Sequence, residues 1–280
     1  MDYRNGIDVM TTEMACLSSV WQTDDKVLDY MAKHGRPQDF RRLCPGTVSY
    51  YDRMICCDLS KVKAMIAMPF HPNNVYTIEE LKANPQDFLS KIEAGARELI
   101  GNPTLDLMCK YHDGAIWVDS GNIGGCSGGC FENPVAAADV LEGADIGNDV
   151  FNLTIYPDSQ PTNLELIKNG AIAKLMEAGV ICRETICGPC TGVGEVPGNN
   201  EFSIRHNIRN FIYREGARPS DGQHAWVGLM DARSIAATGA NRGRLTSAEE
   251  LDVAYSHPLY HFEKKHLREK NLLGRREASA

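Results

Sequence analysis

The middle of the sequence alternates apolar, strand-like runs with helical stretches, and this alternation limits the possible folds more than any other feature. Strand–helix–strand units of this kind build a parallel sheet covered by helices. The sequence therefore predicts an α/β fold with a mostly parallel sheet. The predicted strands are 114–119, 150–156 and 180–182, and the predicted helices between them are 132–141 and 163–178.

Two segments that follow predicted strands carry cysteines. Cys126 lies in a glycine-rich loop at 121–129, and Cys187 and Cys190 form a Cys-Gly-Pro-Cys run directly after the strand at 180–182. Ligand sites in parallel sheets lie at the carboxyl ends of the strands, so both loops are expected on one rim. Dense glycines let the backbone approach a ligand closely, and three thiols from two loops can hold a metal centre or cluster.

The Cys-x-x-Cys spacing by itself leaves several interpretations open. A redox dithiol normally begins a helix, whereas the residues after Cys190 are rich in glycine and proline. A structural zinc site needs a second cysteine or histidine pair at similar spacing, and the sequence has none. A metal or cluster site is favoured, with packing and redox roles still open. Cys130 is a second candidate beside Cys126, because it lies in the same glycine-rich region.

Polar residues elsewhere suggest a site for carboxylates. Arg209 and Arg214 bracket an aromatic segment that also contains Asn210. A guanidinium group binds a carboxylate at two points, although surface salt bridges are the alternative for such a pair. Glu13 is the isolated glutamate in the apolar and small-residue run at 7–20. Such a carboxylate must be paired, protonated or functional.

Composition excludes some classes of protein. The net charge of −8 argues against nucleic acid as the main partner, but it leaves anionic small molecules open. No apolar run approaches the roughly 20 residues that span a bilayer, and the first residues lack a signal-peptide core. We therefore expect a cytoplasmic protein without a membrane span. In that compartment its ten cysteines are interpreted as reduced thiols or ligands.

The remaining segments give weaker predictions. Met68-Pro69-Phe70-His71-Pro72 interrupts regular structure and is interpreted as a boundary. Helical patterns occur at 26–33, at 78–101 with Pro85 dividing the segment, and in a charged tail at 247–273; residues 51–59 are predicted as a strand, and 225–240 as strand or loop followed by helix.

Three segments together resemble a known family. They are Ile123-Gly-Gly-Cys126-Ser-Gly-Gly, Cys187-Gly-Pro-Cys190-Thr-Gly and Arg209-Asn-Phe-Ile-Tyr-Arg214-Glu-Gly. In this order they resemble the aconitase and isopropylmalate isomerase superfamily of cluster-containing hydro-lyases, and 7–35 and 51–70 resemble the stretches that precede them. The resemblance implies a three-layer α/β/α architecture like the family's second and third domains.

The resemblance also implies a cofactor and roles for individual residues. Cys126, Cys187 and Cys190 would hold three irons of a 4Fe–4S cluster, and the fourth iron would bind substrate as a Lewis acid. Arg209, Arg214 and Asn210 would bind substrate carboxylates. Glu13 would be catalytic, near the open iron. The expected substrate is a hydroxy-polycarboxylic acid, dehydrated and rehydrated by the enzyme.

The sequence also departs from the family pattern. The amides expected after Cys126, before Arg209 and before Glu13 are replaced by Ser127-Gly128, Ile208 and Val9, and Tyr213 stands where a glycine is expected. Citrate and isopropylmalate are therefore not the expected substrates.

The resemblance covers only the middle of the family's chain. It divides this sequence into 1–72 (the end of a second domain), 73–246 (a third domain with the cysteines) and 247–280 (a helical tail). A second chain would supply the missing amino-terminal and mobile domains. The alternatives are a non-catalytic iron–sulfur or regulatory protein, or an inactive fragment.

Overall fold

A seven-stranded sheet forms the centre of the molecule, in a computed structural model that describes residues 1–147 and 150–261. The strands are β1 (Met65–Ala67), β2 (Val75–Thr77), β3 (Tyr111–His112), β4 (Ala115–Ile116), β5 (Ser120–Gly124), β6 (Asn152–Tyr156), β7 (Ile181–Cys182), β8 (Phe202–His206) and β9 (Trp226–Met230). The order is β2-β1-β9-β8-β5-β6-β7. The five strands from β9 to β7 are parallel, and β1 is antiparallel to both of its neighbours. The strands β3 and β4 form a separate hairpin.

Helices cover the sheet and fill the connections between its parallel strands. They are α1 (Asp2–Met10), α2 (Asp25–Lys33), α3 (Ile78–Ala83), α4 (Pro85–Ile100), α5 (Gly125–Gly128), α6 (Glu132–Leu141), α7 (Gln160–Lys168), α8 (Ala171–Glu177) and α9 (Ala232–Ala240). Helix α6 packs against α8 and α9, and α9 lies on β5 and β8. The α/β fold with a mostly parallel sheet is confirmed.

The two faces of the sheet differ in polarity. A Cβ atom built on Gly121 would lie 3.0 Å from Ile235 of α9, so Gly121 points to the apolar, helix-covered face. Because successive strand residues point to opposite faces, Asn122 and its neighbours point the other way. There Asn122 Nδ2 donates to Thr154 Oγ1 at 2.9 Å, beside buried Ser203 and Arg205. This polar face lines a cavity of about 110 Å³.

Several helix predictions are confirmed. Helices at 26–33 and 132–141 correspond to α2 and α6, and 78–101 forms two helices divided at Pro85. The segment 163–178 differs, because it is split between α7 and α8 at Gly170, whose φ of +84° lies in the left-handed region. A glycine in that conformation ends one helix and allows the chain to begin another.

The predicted strand at 51–59 is wrong. The structure has no strand there, and Met54 and Ile55 are 89% and 93% exposed. An apolar run becomes a strand only when it finds a partner and a buried face, and neither is visible in the local sequence.

The boundary between strand and loop around residue 120 also differs from the prediction. Within 114–119, residues 115–116 form one side of a hairpin, and the parallel strand β5 occupies the first part of the predicted glycine-rich loop. Glycine is favoured in β5 because Cβ atoms on Gly121 and Gly124 would lie 2.9 Å from Phe151 and 2.8 Å from Tyr156, respectively. Close packing therefore explains glycines that were interpreted as loop residues.

The predicted helical tail is only partly described. Residues 247–261 contain a single 3₁₀ turn, Ala248–Glu250, and no α-helix, while 262–273 lies outside the described residues. The division at residue 72 remains a prediction; β1 and β2 lie on either side of it and pair with each other. In the described part of the chain we find no helix with the length and apolar character to cross a bilayer.

Candidate functional site

Helix α1 brings the amino-terminal segment to the cysteine-bearing edge of the sheet. It packs against α5, the short helix that carries Cys126. Its first turn is anchored by Asp2, whose Oδ2 accepts a hydrogen bond from the Glu132 backbone N–H at 3.0 Å. Tyr3 contributes a second anchor by accepting a hydrogen bond of 2.6 Å from Arg233 Nη1. Residues far apart in sequence are therefore joined at this edge.

The segment after α1 places Glu13 against Arg209. The Arg209 Nε donates a hydrogen bond of 2.5 Å to Glu13 Oε1, and the two side chains are 21% and 12% exposed. This hydrogen bond raises the pKa of Arg209 above its usual value. The isolated carboxylate noted in the sequence is therefore paired, and its partner is one of the two predicted carboxylate-binding arginines.

The two cysteine-bearing segments meet at the carboxyl edge of the sheet. Cys126 follows β5, and Cys187 and Cys190 follow β7. A Cβ atom on Gly125 would lie 3.3 Å from the Cys187 carbonyl oxygen, so the two backbones are in contact. We call Cys126, Cys187 and Cys190 the thiol rim. Within it, the side chains of Cys126 and Cys187 are exposed, Cys190 is buried, and all three are free thiols.

The electrostatics show that these groups lie close together. Although Cys126 is exposed, partial loss of water around it and repulsion from Cys187 raise its pKa, while attraction to Arg209 opposes the rise. Burial raises the pKa of Cys190, which is also affected by Cys187, Arg209 and Cys126. The thiol rim and Arg209 therefore share one electrostatic environment, in which the guanidinium stabilises thiolates.

Soft sulfur donors of this kind suit an iron–sulfur cluster. Within the described residues, no three His, Cys, Asp or Glu side chains converge closely enough to hold a single metal ion. A 4Fe–4S cluster does not require such convergence, because each thiolate binds a different iron atom. Three free thiols on touching loops beside a cation therefore fit a cluster better than a single ion.

The second candidate thiol, Cys130, has a different environment. Its Sγ lies 3.4 Å from the Cys126 carbonyl oxygen and can donate to it. Burial raises the pKa of Cys130 far above its usual range. The negative charges of Asp158 and Asp2 also disfavour a thiolate at Cys130, whereas Cys126 and Cys190 are influenced by the Arg209 cation, so the electrostatics favour Cys126 as the ligand.

The two other predicted substrate residues differ in accessibility. Arg214 is exposed, and its carbonyl oxygen would lie 3.0 Å from a Cβ on Gly192, in the turn after Cys190. Asn210 is buried, and its Nδ2 donates to the carbonyl oxygens of Met68 at 2.9 Å and Ala67 at 3.3 Å. Asn210 therefore links the segment 209–214 to the end of β1. Its contact with substrate stays a prediction.

Tyr213 has a backbone conformation that is unusual for a large residue. Its φ is +58°, in the left-handed region, which costs an L residue about 1 kcal/mol. Its ring lies 5.9 Å from the ring of His224, and its hydroxyl is 3.5 Å from His224 Nδ1. The contact between the Tyr213 and His224 rings therefore stabilises a backbone conformation that glycine would adopt without strain.

A buried polar residue lies beneath the thiol rim, and its contact with the second cysteine loop was not predicted from the sequence. Arg205 lies in β8, where its Nη1 donates to the Pro189 carbonyl oxygen at 2.7 Å. Burial lowers the pKa of Arg205 to about 10. Burial also raises the pKa of Glu215 to about 7, although attraction to Arg205 opposes that rise. The available signal was the alternation of apolar and polar residues at 202–206, which places Ser203 and Arg205 on the same face of the strand.

Comparison with known proteins shows which family this chain resembles. The model of the aconitase family (aconitate hydratase) matches residues 1–237. The 2,3-dimethylmalate dehydratase large subunit of Eubacterium barkeri is 26% identical over 253 residues, which cover 90% of this chain and 51% of that protein.

Two 3-isopropylmalate dehydratase large subunits are similarly related. The protein of Clostridioides difficile is 26% identical over 90% of this chain and 51% of its own length. Large subunit 1 of Methanopyrus kandleri is 28% identical over 85% of this chain and 47% of its own length. The chain therefore spans about half the length of the curated relatives it matches.

Proposed function

The chain belongs to the aconitase family, and on that premise we propose that it is the cluster-binding portion of a hydro-lyase. Its reaction is the removal of water from a hydroxy-polycarboxylic acid and the reverse addition. The observation that carries this proposal is the meeting of the thiol rim with the Arg209–Glu13 pair at one edge of the sheet. Metal-binding sulfur and a carboxylate-binding cation are the two chemistries that such a reaction requires.

Cys126, Cys187 and Cys190 would hold a 4Fe–4S cluster. When bound, the cluster supplies a Lewis-acidic iron for the substrate's hydroxyl and carboxylate groups. The exposed thiols of Cys126 and Cys187 are available from solvent, and the adjacent Arg209 guanidinium offsets the negative charge of the thiolates.

The arginines would recognise the substrate. Arg209 and Arg214 lie on one short turn, and each offers the planar set of N–H donors that matches a carboxylate. Glu13 orients Arg209 in the ligand-free site and is the proposed catalytic group, because its carboxylate can accept a hydrogen bond from a substrate hydroxyl. Asn210 supports the turn through its hydrogen bonds to the Ala67 and Met68 carbonyls and is the third proposed substrate-binding residue.

The complete enzyme would include a second chain. The related dehydratases are large subunits, and this chain matches about half of each. We propose that a cytoplasmic partner supplies the remaining acid–base groups and that the substrate is a small hydroxy-dicarboxylate or hydroxy-tricarboxylate. The isolated chain would then bind the cluster but turn over substrate slowly or not at all.

One observation favours a non-catalytic iron–sulfur protein as a second candidate. In the described part of the chain, Glu13 is the carboxylate paired with Arg209, and no described histidine forms a hydrogen bond or ion pair with either residue. A protein of this second kind would bind the cluster and show no hydration activity even with its partner present.

Anaerobic reconstitution with iron and sulfide tests the proposal. The wild-type chain is expected to take up about four irons and four sulfides and to show the broad visible absorbance of a 4Fe–4S cluster. Cys126→Ser should lose most of this absorbance. Cys109→Ser is the matched control, because Cys109 is an exposed thiol that contacts Asn200, away from the thiol rim.

Activity then separates the two candidates. The reconstituted chain, with products of neighbouring genes added, is assayed for hydration of unsaturated dicarboxylates and tricarboxylates. Turnover that disappears in Arg209→Lys supports the hydro-lyase. A wild-type chain without cluster absorbance, or equal absorbance in Cys126→Ser, would exclude the proposed site.

A further inference from the structure

Arg205 is a buried cation directly beneath the second cysteine loop. Arg205 is 2% exposed and lies on the polar face of the sheet, where it lines the cavity of about 110 Å³. Removing a charge from water is unfavourable unless hydrogen bonds and nearby negative groups compensate for the lost hydration. The groups around the Arg205 guanidinium therefore show how its charge is compensated.

The hydrogen bonds of Arg205 converge on the loop that carries Cys187 and Cys190. Its Nη1 donates to the Pro189 carbonyl at 2.7 Å, and its Nη2 reaches the Glu195 carbonyl at 3.5 Å. The Nε donates to Ser203 Oγ on the same strand at 3.2 Å, which fixes the plane of the guanidinium. A planar group anchored in this way holds the Pro189 peptide at a defined height above the sheet.

The positive charge of Arg205 lacks an anion in direct contact. Within residues 1–147 and 150–261, its hydrogen-bond acceptors are two backbone carbonyls and a hydroxyl, and it forms no ion pair. Glu215 acts on it from a distance, and Glu215 Oε1 is buried without a hydrogen-bond partner. Cys190 is close enough to attract the guanidinium when its sulfur is ionised. Glu215, Cys190 and Glu195 therefore act on this cation without an ion pair, and Cys190 is the member of the thiol rim among them.

We propose that Arg205 is a positioning residue for the iron–sulfur cluster: its guanidinium fixes the Pro189 carbonyl between Cys187 and Cys190 and places a permanent positive charge behind the thiolates. This inference rests on the proposed function, because it requires that the thiol rim holds a cluster. It assigns two separable contributions to one residue, a geometric one through the hydrogen bond and an electrostatic one through the charge.

Three substitutions separate the two contributions. Arg205→Lys keeps the charge and loses the planar fork, Arg205→Gln keeps a donor and loses the charge, and Arg205→Met loses both. The matched control is Arg183→Met, which removes a half-exposed arginine that pairs with Glu195 near the same loop. Each protein is reconstituted anaerobically, and three quantities are measured: iron and sulfide per chain, the rate of iron loss to a chelator, and the reduction potential of the cluster.

We expect Arg205→Met to release iron at least tenfold faster than wild type, with the other two variants intermediate. The reduction potential should shift negative in Arg205→Gln and stay near the wild-type value in Arg205→Lys, because a nearby positive charge favours the reduced, more negative cluster. A purely structural residue would change the rate of iron loss without this difference in potential. Arg183→Met should behave as wild type in both measurements.

The outcomes distinguish this inference from the proposed function. A wild-type chain that takes up no cluster contradicts the proposed function itself. A wild-type chain that binds the cluster, with Arg205→Gln matching it in iron loss and potential, overturns the role of Arg205. Circular dichroism and thermal melting of the cluster-free proteins show whether Arg205→Met folds. If Arg205→Met does not fold, the comparison of Arg205→Lys with Arg205→Gln tests the role of the Arg205 charge.

Discussion

Arg209 Nε donates a hydrogen bond of 2.5 Å to Glu13 Oε1, and the two residues are 196 positions apart in the chain. The contact fastens the amino-terminal segment to the turn after β8. It also occupies part of the guanidinium fork that a substrate carboxylate would use. The free site therefore keeps Arg209 oriented by an internal carboxylate.

Glu13→Gln should weaken the attachment of the amino-terminal segment. Both side chains are largely buried, and losing a charge-assisted hydrogen bond of this kind costs about 1–3 kcal/mol. Urea unfolding of the cluster-free chain should show this loss, and limited proteolysis should cleave residues 11–23 faster.

Glu79→Gln is the control for this prediction. Glu79 forms an ion pair with Lys63, but both side chains are more than half exposed, and such an exposed pair adds little to stability. Equal stability losses in Glu13→Gln and Glu79→Gln would mean that the pair with Arg209 has no special role in anchoring the segment.

Gly128→Ala should disrupt the packing of α5 beneath the thiol rim. A Cβ atom at this position would lie 2.0 Å from the His206 carbonyl oxygen, so the backbone of α5 or β8 must move. We expect a loss of about 3 kcal/mol or more in the free energy of unfolding, measured by urea denaturation, because overpacking against rigid backbone is costly.

Gly95→Ala should instead increase the free energy of unfolding in the same urea assay. A Cβ on Gly95 has no atom within 4 Å outside its own helix, and the residue lies inside α4. Replacing a helical glycine by alanine stabilises by roughly 0.5–1 kcal/mol. Similar effects of the two substitutions would contradict the close contact between α5 and β8.

The position of the cysteine loops was predictable from local sequence, because the carboxyl ends of parallel strands share an edge. Start and stop signals identified α2, a proline tolerated in the first turn fitted α6, and the Cys-Gly-Pro-Cys run identified the loop after β7. The structure brings Cys126 and Cys187 to that edge, as expected, while their role as cluster ligands remains a prediction.

The missed features depend on contacts that local patterns do not reveal. Arg205 alternates with Phe202 and Ile204 in β8, and the reason for its burial becomes clear only when the Pro189 carbonyl is placed beside it. The glycines of β5 resemble loop residues in the sequence, because the packing of Phe151 against Gly121 is visible only in the structure. The apolar segment at 51–59 has the composition of a strand but no partner strand in the described structure.

Cluster loading should change which cysteines react with iodoacetamide. In the cluster-free chain, the exposed thiols of Cys126 and Cys187 should be alkylated, while buried Cys130 should react slowly because burial raises its pKa far above its usual range. Reconstitution should protect Cys126 and Cys187 at least tenfold, and removing iron with a chelator should restore their reactivity. Mass spectrometry of tryptic peptides measures each site.

The exposed pair Cys56 and Cys57 is the internal control for the labelling experiment. Both lie in the irregular segment before β1 and should be labelled equally with and without the cluster. Protection that extends to this pair would indicate general shielding or aggregation, and unchanged labelling of Cys126 would exclude it as a ligand.

Glu215 should make the stability of the chain depend on pH. Burial raises its pKa from 4.5 to about 7 in the folded state, so between these values the folded chain binds more protons than the unfolded chain. Stability from this group is therefore greatest below about pH 4.5 and is lost as the pH rises through 7. At pH 8 the penalty is about 3 kcal/mol, from roughly 1.4 kcal/mol per pKa unit.

Glu215→Gln should remove this dependence, because an amide remains neutral at every pH. In urea unfolding, the difference in stability between variant and wild type should increase in favour of the variant from pH 5 to pH 8. Glu98→Gln, at an exposed position of α4, should show a constant difference over the same range. A constant difference for Glu215→Gln would mean that the buried carboxyl is already ionised at pH 5, with Arg205 compensating its charge fully.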